Sequence, residues 1–141
     1  SIIALCVDGN WRRKTMIPKF RAWWIQDEVM THIDTLEFLQ GGIRVSDGCW
    51  HEKFLGDEVI LMQSTGLKDK NGVEIFEGDI VLFTIEDGFD YVYGKPGRIN
   101  LSLQWGAGVR ASSRGNYPLR KCREVRIIGN IYENPELLEV E

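Results

Sequence analysis

An all-β chain, a small barrel or sandwich of short strands, is what the sequence predicts, and three observations predict it. Turn signals recur at intervals of roughly eight to twelve residues, the spacing of strands in such folds. Nowhere does a helical apolar period run long enough to make an amphipathic helix. Residues 65–81, Thr65-Gly-Leu-Lys-Asp-Lys-Asn-Gly-Val-Glu-Ile-Phe-Glu-Gly-Asp-Ile-Val81, set two short strands between an Asn71-Gly72 turn and a Glu77-Gly78-Asp79 turn. Asn-Gly is the strongest short hairpin signal, because both central positions of a type I′ turn need positive φ. The rest of the chain is organised around this stretch.

The 141 residues suit one domain, or two small lobes sharing a core. An apolar fraction of 43% is enough to build that core. The formal net charge of -4 exerts no global pull toward nucleic acid. No apolar run approaches the roughly 20 residues of a spanning helix, so no membrane association is expected. Cys6, Cys49 and Cys122 are odd in number and widely spaced, which suits a reducing cytoplasm better than a disulfide frame.

Residues 1–15 differ in pattern from the remainder of the chain. They read either as an N-terminal extension ahead of Met16 or as an ordinary first strand over 2–7 closed by Asp8-Gly9. From Met16 short strands succeed one another: 17–24 with Pro18 near its start, 29–33 after the polar turn Gln26-Asp27-Glu28, then 36–39, which is either a strand or one helical turn. Gly41-Gly42 and Ser46-Asp47-Gly48 bracket a strand at 43–45, and strands at 49–55 and 59–63 complete a first lobe over 16–64. The chain divides best near 64–66. In the second lobe, 65–141, a core strand at 80–85 is followed by a break at Glu86-Asp87-Gly88, a strand at 91–93 and a turn at Lys95-Pro96-Gly97. Residues 98–105 alternate, with Ile99, Leu101, Leu103 and Trp105 on one face. Residues 106–116 read as an exposed loop or loose hairpin, 125–132 as the last strong strand, and 135–140 as one short acidic helical turn after Asn134-Pro135.

Signals for chemistry are weak. Asp69-Lys70-Asn71-Gly72 is like the opening of a calcium loop, but its glycine is misplaced and strands flank it, so turn chemistry explains it. Cys49 and His51 lie two apart, yet no further residues stand at a spacing that would complete a zinc site. Gly106-Ala107-Gly108 lacks the third glycine and helix of a dinucleotide site, and no nucleophile elbow occurs. No cofactor, metal or catalytic residue is therefore expected, and the enzyme reading ranks third.

Aromatics and charge say more. Trp23 and Trp24 are adjacent, so on a strand they face opposite ways, and one of them leaves the main core unless another layer or subunit covers it. The pair is the candidate interaction surface, in keeping with a homo-oligomer. Residues 69–90 carry seven acids and one base, whereas 95–126 carry eight bases and one acid. Within the basic segment Arg110, Arg114, Arg120, Lys121 and Arg123 are candidate contacts for nucleic acid. The opposing reading has the acidic strands neutralise the basic ones, and with a negative net charge it is preferred.

Three stretches together resemble a known family: Met16-Ile-Pro-Lys-Phe-Arg-Ala-Trp23, the run from Gln63 through Val81, and Gly129-Asn-Ile-Tyr-Glu-Asn-Pro-Glu-Leu-Leu138. They are similar to the YopX-like proteins of bacteriophages and prophages, and they span nearly the whole of residues 16–138. The resemblance implies an all-β fold, a short-stranded N-terminal lobe plus a C-terminal SH3-like small barrel. It implies no activity and no site residue. A family start near Met16 favours the extension reading of residues 1–15. With the resemblance, the expectation is a phage-derived binding or assembly module of the bacterial cytoplasm, partnered by its own copies or by a host or phage protein, with a small-barrel nucleic-acid-binding protein as the alternative.

Overall fold

In the computed structural model, which describes residues 3–7, 10–14, 19–49, 51–87, 90–102, 104, 106–111 and 115–138, the chain is nearly all β, and its sheets curl, one of them into a half-barrel. The order is β1 (Ile3–Val7), β2 (Asn10–Lys14), β3 (Phe20–Trp24), β4 (Val29–His32), β5 (Thr35–Leu39), β6 (Gly42–Ser46), β7 (Glu52–Phe54), β8 (Val59–Lys68), β9 (Glu74–Phe76), β10 (Asp79–Asp87), β11 (Asp90–Ser102), β12 (Gly106–Ala111), β13 (Gly115–Pro118) and β14 (Arg123–Asn130). Short 3-10 turns occupy Leu119–Lys121 and Pro135–Leu138. All strand pairing among the described residues is antiparallel.

β1 and β2 pair with each other, from Ile3 opposite Lys14 to Val7 opposite Asn10, and among the described residues they join no other sheet. The first lobe holds two sheets, β4-β3-β8-β9 and β5-β6-β7. Ala22, Trp24, Val45 and Val59 make their shared core, with Val29, Ile33, Leu36, Ile43 and Leu61 around it. The segment 36–39, ambiguous between strand and helical turn, belongs to the strand β5, where Leu36 opposite Val45 completes this core.

The second lobe is the sheet β13-β12-β11-β10-β14. Its inner face carries Val81, Phe83, Ile85, Val92, Ile99, Val109, Ala111 and Val125, closed by Ile75 and Leu119. Register shifts in β10 and a positive φ at Glu124 mark bulges that bend the sheet.

Two local expectations are corrected. The expected Lys95-Pro96-Gly97 turn is the middle of β11, and Gly97 is there for packing: a Cβ would lie 2.4 Å from a Val109 methyl and 2.8 Å from the Phe83 ring. The 69–73 turn is not type I′, since Gly72 has φ +83° while Asn71 is not at positive φ. Its Gly72 N–H donates to the Asp69 carbonyl, as in a turn closed by a left-handed glycine. β8 runs unbroken through 64–66, its first half pairing with β3 and its second with β9. Leu103, Trp105 and the Gly88 of the expected break lie outside the described residues, as do Met16, Ile17, Pro18 and Trp50.

Candidate interaction surfaces

The three motif stretches meet around one turn, Glu77-Gly78. Arg21 on β3 places Nη1 2.8 Å from the Asp79 carboxylate, donates Nη2 to the Glu77 carbonyl and lies 5.0 Å from the centre of the Phe76 ring. Asp79 accepts the Phe76 N–H with its other oxygen. The Gly78 carbonyl accepts the Ile131 N–H, and its N–H donates to the Ile99 carbonyl. Gly78 sits at φ +89°, a conformation that favours glycine, and a Cβ there would press on the Met62 sulfur at 3.1 Å. The Asn130 side chain caps the following turn by accepting the Tyr132 and Glu133 N–H groups. Burial pushes the Asp79 carboxyl above its ordinary range against the pull of Arg21 and the Phe76 N–H.

Asp69 fastens the hinge turn to the far edge of the half-barrel. Its carboxylate accepts the N–H groups of Asn71 and Val73 in its own turn and of Ile127 on β14. Burial raises this carboxyl, but those three donors, with Lys70 beside it, outweigh burial and hold it below the usual range. The calcium-like run is thus a side-chain-capped turn.

The tryptophans have different surroundings. Trp24 is 2% exposed, part of the core, and donates its indole N–H to Thr31 at 2.7 Å. Trp23 is half-buried and stacks on Tyr132 at 5.7 Å between centroids, so the layer covering it comes from the end of the same chain.

His51, on the face of Trp24, sits between two carboxylates, with Nδ1 2.9 Å from Asp47 and Nε2 3.0 Å from Asp27. Both ring nitrogens are engaged, so His51 clamps the β3–β4 turn to the β6–β7 turn rather than presenting a nitrogen to a nucleophile. Cys49 lies exposed in a bend, and among the described residues no three metal-ligating side chains converge. Burial pushes the Cys122 thiol up to about 11, which keeps it protonated at neutral pH.

Two surfaces stand out instead. The first is the tip of the β5–β6–β7 sheet. Phe38 is 76% exposed, Phe54 56% and Leu39 44%. Leu39 and Phe54 share one face, where the Phe54 ring borders Gly42, while Phe38 opposite Ile43 lies on the other. Sequence reading missed these residues because exposed and buried apolar residues alternate alike within a short strand.

The second is the outer face of the half-barrel. Arg98 on β11 lies directly opposite Arg110 on β12, and Arg126 on β14 lies opposite Leu82 on β10. All three are exposed, and among the described residues none is ion-paired. Of the residues expected to contact nucleic acid, Arg110 belongs to this face. Arg123 lies opposite Thr84, 3.9 Å from Glu86, Arg120 and Lys121 are exposed on the 3-10 turn Leu119–Lys121, and Arg114 lies outside the described residues.

Comparison with known proteins gives the same outline. The family model described as YopX protein matches residues 19–139. A crystal structure of protein EF1440 from Enterococcus faecalis is similar at 28% identity and a TM-score of 0.58, over 88% of this chain and 99% of that one. The structure of protein yopX from Bacillus subtilis is similar in fold, at 19% identity and a TM-score of 0.54, over 85% of this chain and 97% of that one. No curated protein matches. Among the described residues no helix is long and apolar enough to cross a membrane.

Proposed function

The chain belongs to the YopX protein family, and on that footing we propose that it is a phage- or prophage-encoded, non-enzymatic module of the bacterial cytoplasm whose work is binding and assembly, beginning with assembly on itself. The observation that supports this reading is the apolar tip of the β5–β6–β7 sheet, with Phe38 and Phe54 both more than half exposed. Large rings left in water on both faces of a projecting hairpin are the mark of a surface that is covered in the working state. β5 and β7 are also the outer strands of their sheet, so their free backbone groups lie beside those rings. A second copy of the chain fits both features, since a two-fold axis near the tip brings each Phe54 and each strand edge against its own counterpart. Residues around the tip are compatible with such contact, because Arg44 already holds Glu37 at 2.6 Å and Glu52 at 3.4 Å, so the charges nearest the rings are neutralised within the sheet.

A dilution series followed by light scattering tests the proposal. A concentration-dependent mass above the 16.2 kDa of one chain is expected. A single-chain mass up to high concentration would overturn it.

A further inference from the structure

The outer face of the half-barrel carries a second interaction. We propose that Arg98, Arg110 and Arg126 form a docking surface for the phosphate backbone of nucleic acid. Residues directly opposite on antiparallel strands have their Cβ atoms about 5 Å apart, and like charges placed so repel each other. Arg98 and Arg110 hold that position with no carboxylate between them among the described residues. An arrangement that costs stability in the free protein is relieved when an anion sits between the two guanidinium groups.

The acidic stretch was the obvious candidate to neutralise these arginines, and its acids between residues 69 and 79 are committed elsewhere. Asp69 is spent on backbone N–H groups, Asp79 on Arg21, and Glu74 on Lys19 and Ser64, while Glu77 faces the Gln63 N–H. Glu86 and Glu124 lie beside the basic face, each with a partner of its own. Glu86 accepts from Tyr93 and stands 3.9 Å from Arg123, and Glu124 is paired with Lys70 at 3.5 Å. Other residues on this side of the strands are uncharged: Ile80, which is buried directly opposite Arg98, and Leu82, Pro96, Asn100, Gly108 and Asn116. Asn100 donates to Asn116 across the strands, leaving an amide-rich strip beside Arg110. The half-exposed ring of Tyr93, at the Glu86 rim, offers a stacking surface for a base.

Two facing guanidinium groups on the same sheet as a tyrosine ring suit a phosphate backbone with bases that stack. A carboxylate also binds a guanidinium in bidentate fashion, so competition by polyglutamate separates the two partners. The surface is independent of the apolar tip, so self-association and nucleic-acid binding fail separately.

The test is fluorescence anisotropy of labelled single-stranded and double-stranded DNA and RNA, titrated with the full chain at several salt concentrations. Salt-sensitive binding is expected. Replacing Arg98 and Arg110 together with alanine should weaken it and lower the slope of log K against log salt by about 1.4 for single strands, from about 0.7 per phosphate contact. Arg126→Ala should lower that slope by about 0.7 more. The lysine pair R98K/R110K should retain the slope while weakening binding, which separates lost charge from lost folding. Absence of binding to every probe at low salt, an unchanged slope in the alanine variants, or equal competition by polyglutamate would overturn the proposal.

Discussion

Arg21 Nη1 lies 2.8 Å from Asp79 Oδ1, and both residues are buried, so a charged pair joins β3 of the first lobe to β10 of the second. The joint is tightened by the Arg21 contact with the Glu77 carbonyl and by Trp23 stacking on Tyr132. Arg21 Nε finds no hydrogen-bond partner among the described residues, so the pair is bound well but not completely. Removing one buried partner strands the other. Asp79→Ala should therefore cost about 3–5 kcal/mol in denaturant unfolding, whereas the apolar double replacement R21M/D79L should recover most of that loss. Equal destabilisation by the single and double variants would show that the pair is not what holds the joint.

Acid should loosen the chain through Asp69. Its folded value is below the ordinary one, so its stabilisation is present above about pH 4 and is lost as pH falls through the folded value. Glu74 acts with the same sign, held down by the Ser64 hydroxyl and, against the effect of burial, by Lys19. Asp79 acts with the opposite sign: its folded value is raised, so its contribution shrinks as pH climbs from the unfolded to the folded value. Urea midpoints between pH 7 and pH 3 should fall, and D69N should fall less steeply than the parent.

Two glycines should respond to substitution for different reasons. Gly72→Val meets no atom within 4 Å but forces a β-branched residue to φ +83°, a cost of about 1 kcal/mol or more. Gly97→Ala has no such strain but drives a methyl into Val109 and Phe83, for about 1–3 kcal/mol. Thermal melts of both variants check this. An unchanged melting temperature in either one refutes its half.

Deleting residues 1–15 should leave the melting temperature nearly unchanged, because β1 and β2 pair with each other alone among the described strands and the family match begins at residue 19. Loss of cooperative unfolding on deletion would show that the hairpin supports the lobes.

What the sequence disclosed was local. Short strands and their turns could be read from alternation and from glycine, asparagine and proline positions, and both Ile75 and Phe76 proved buried although they point opposite ways. The hinge turn was placed correctly, but its type depended on the Asp69 side chain reaching backbone groups as distant as Ile127, which no local pattern encodes. Lys95-Pro96-Gly97 looked like a turn because the need for a missing Cβ against Val109 is visible only in three dimensions. Counting acids and bases suggested mutual neutralisation, and Arg123 with Glu86 and Lys70 with Glu124 are pairs of that kind. It could not show that Asp79 would be taken by Arg21, which lies in the other lobe, leaving Arg98 and Arg110 to face each other. The tip residues Phe38 and Phe54 carried no sequence mark distinguishing them from core.

The central claim, assembly through that tip, is tested most directly by the double variant F38S/F54S in light scattering at the highest concentration at which the parent protein stays in solution. The parent should exceed the single-chain mass, and the variant should fall to 16.2 kDa with its thermal melt retained. A variant that keeps the mass of the parent while folded would contradict assembly through the tip.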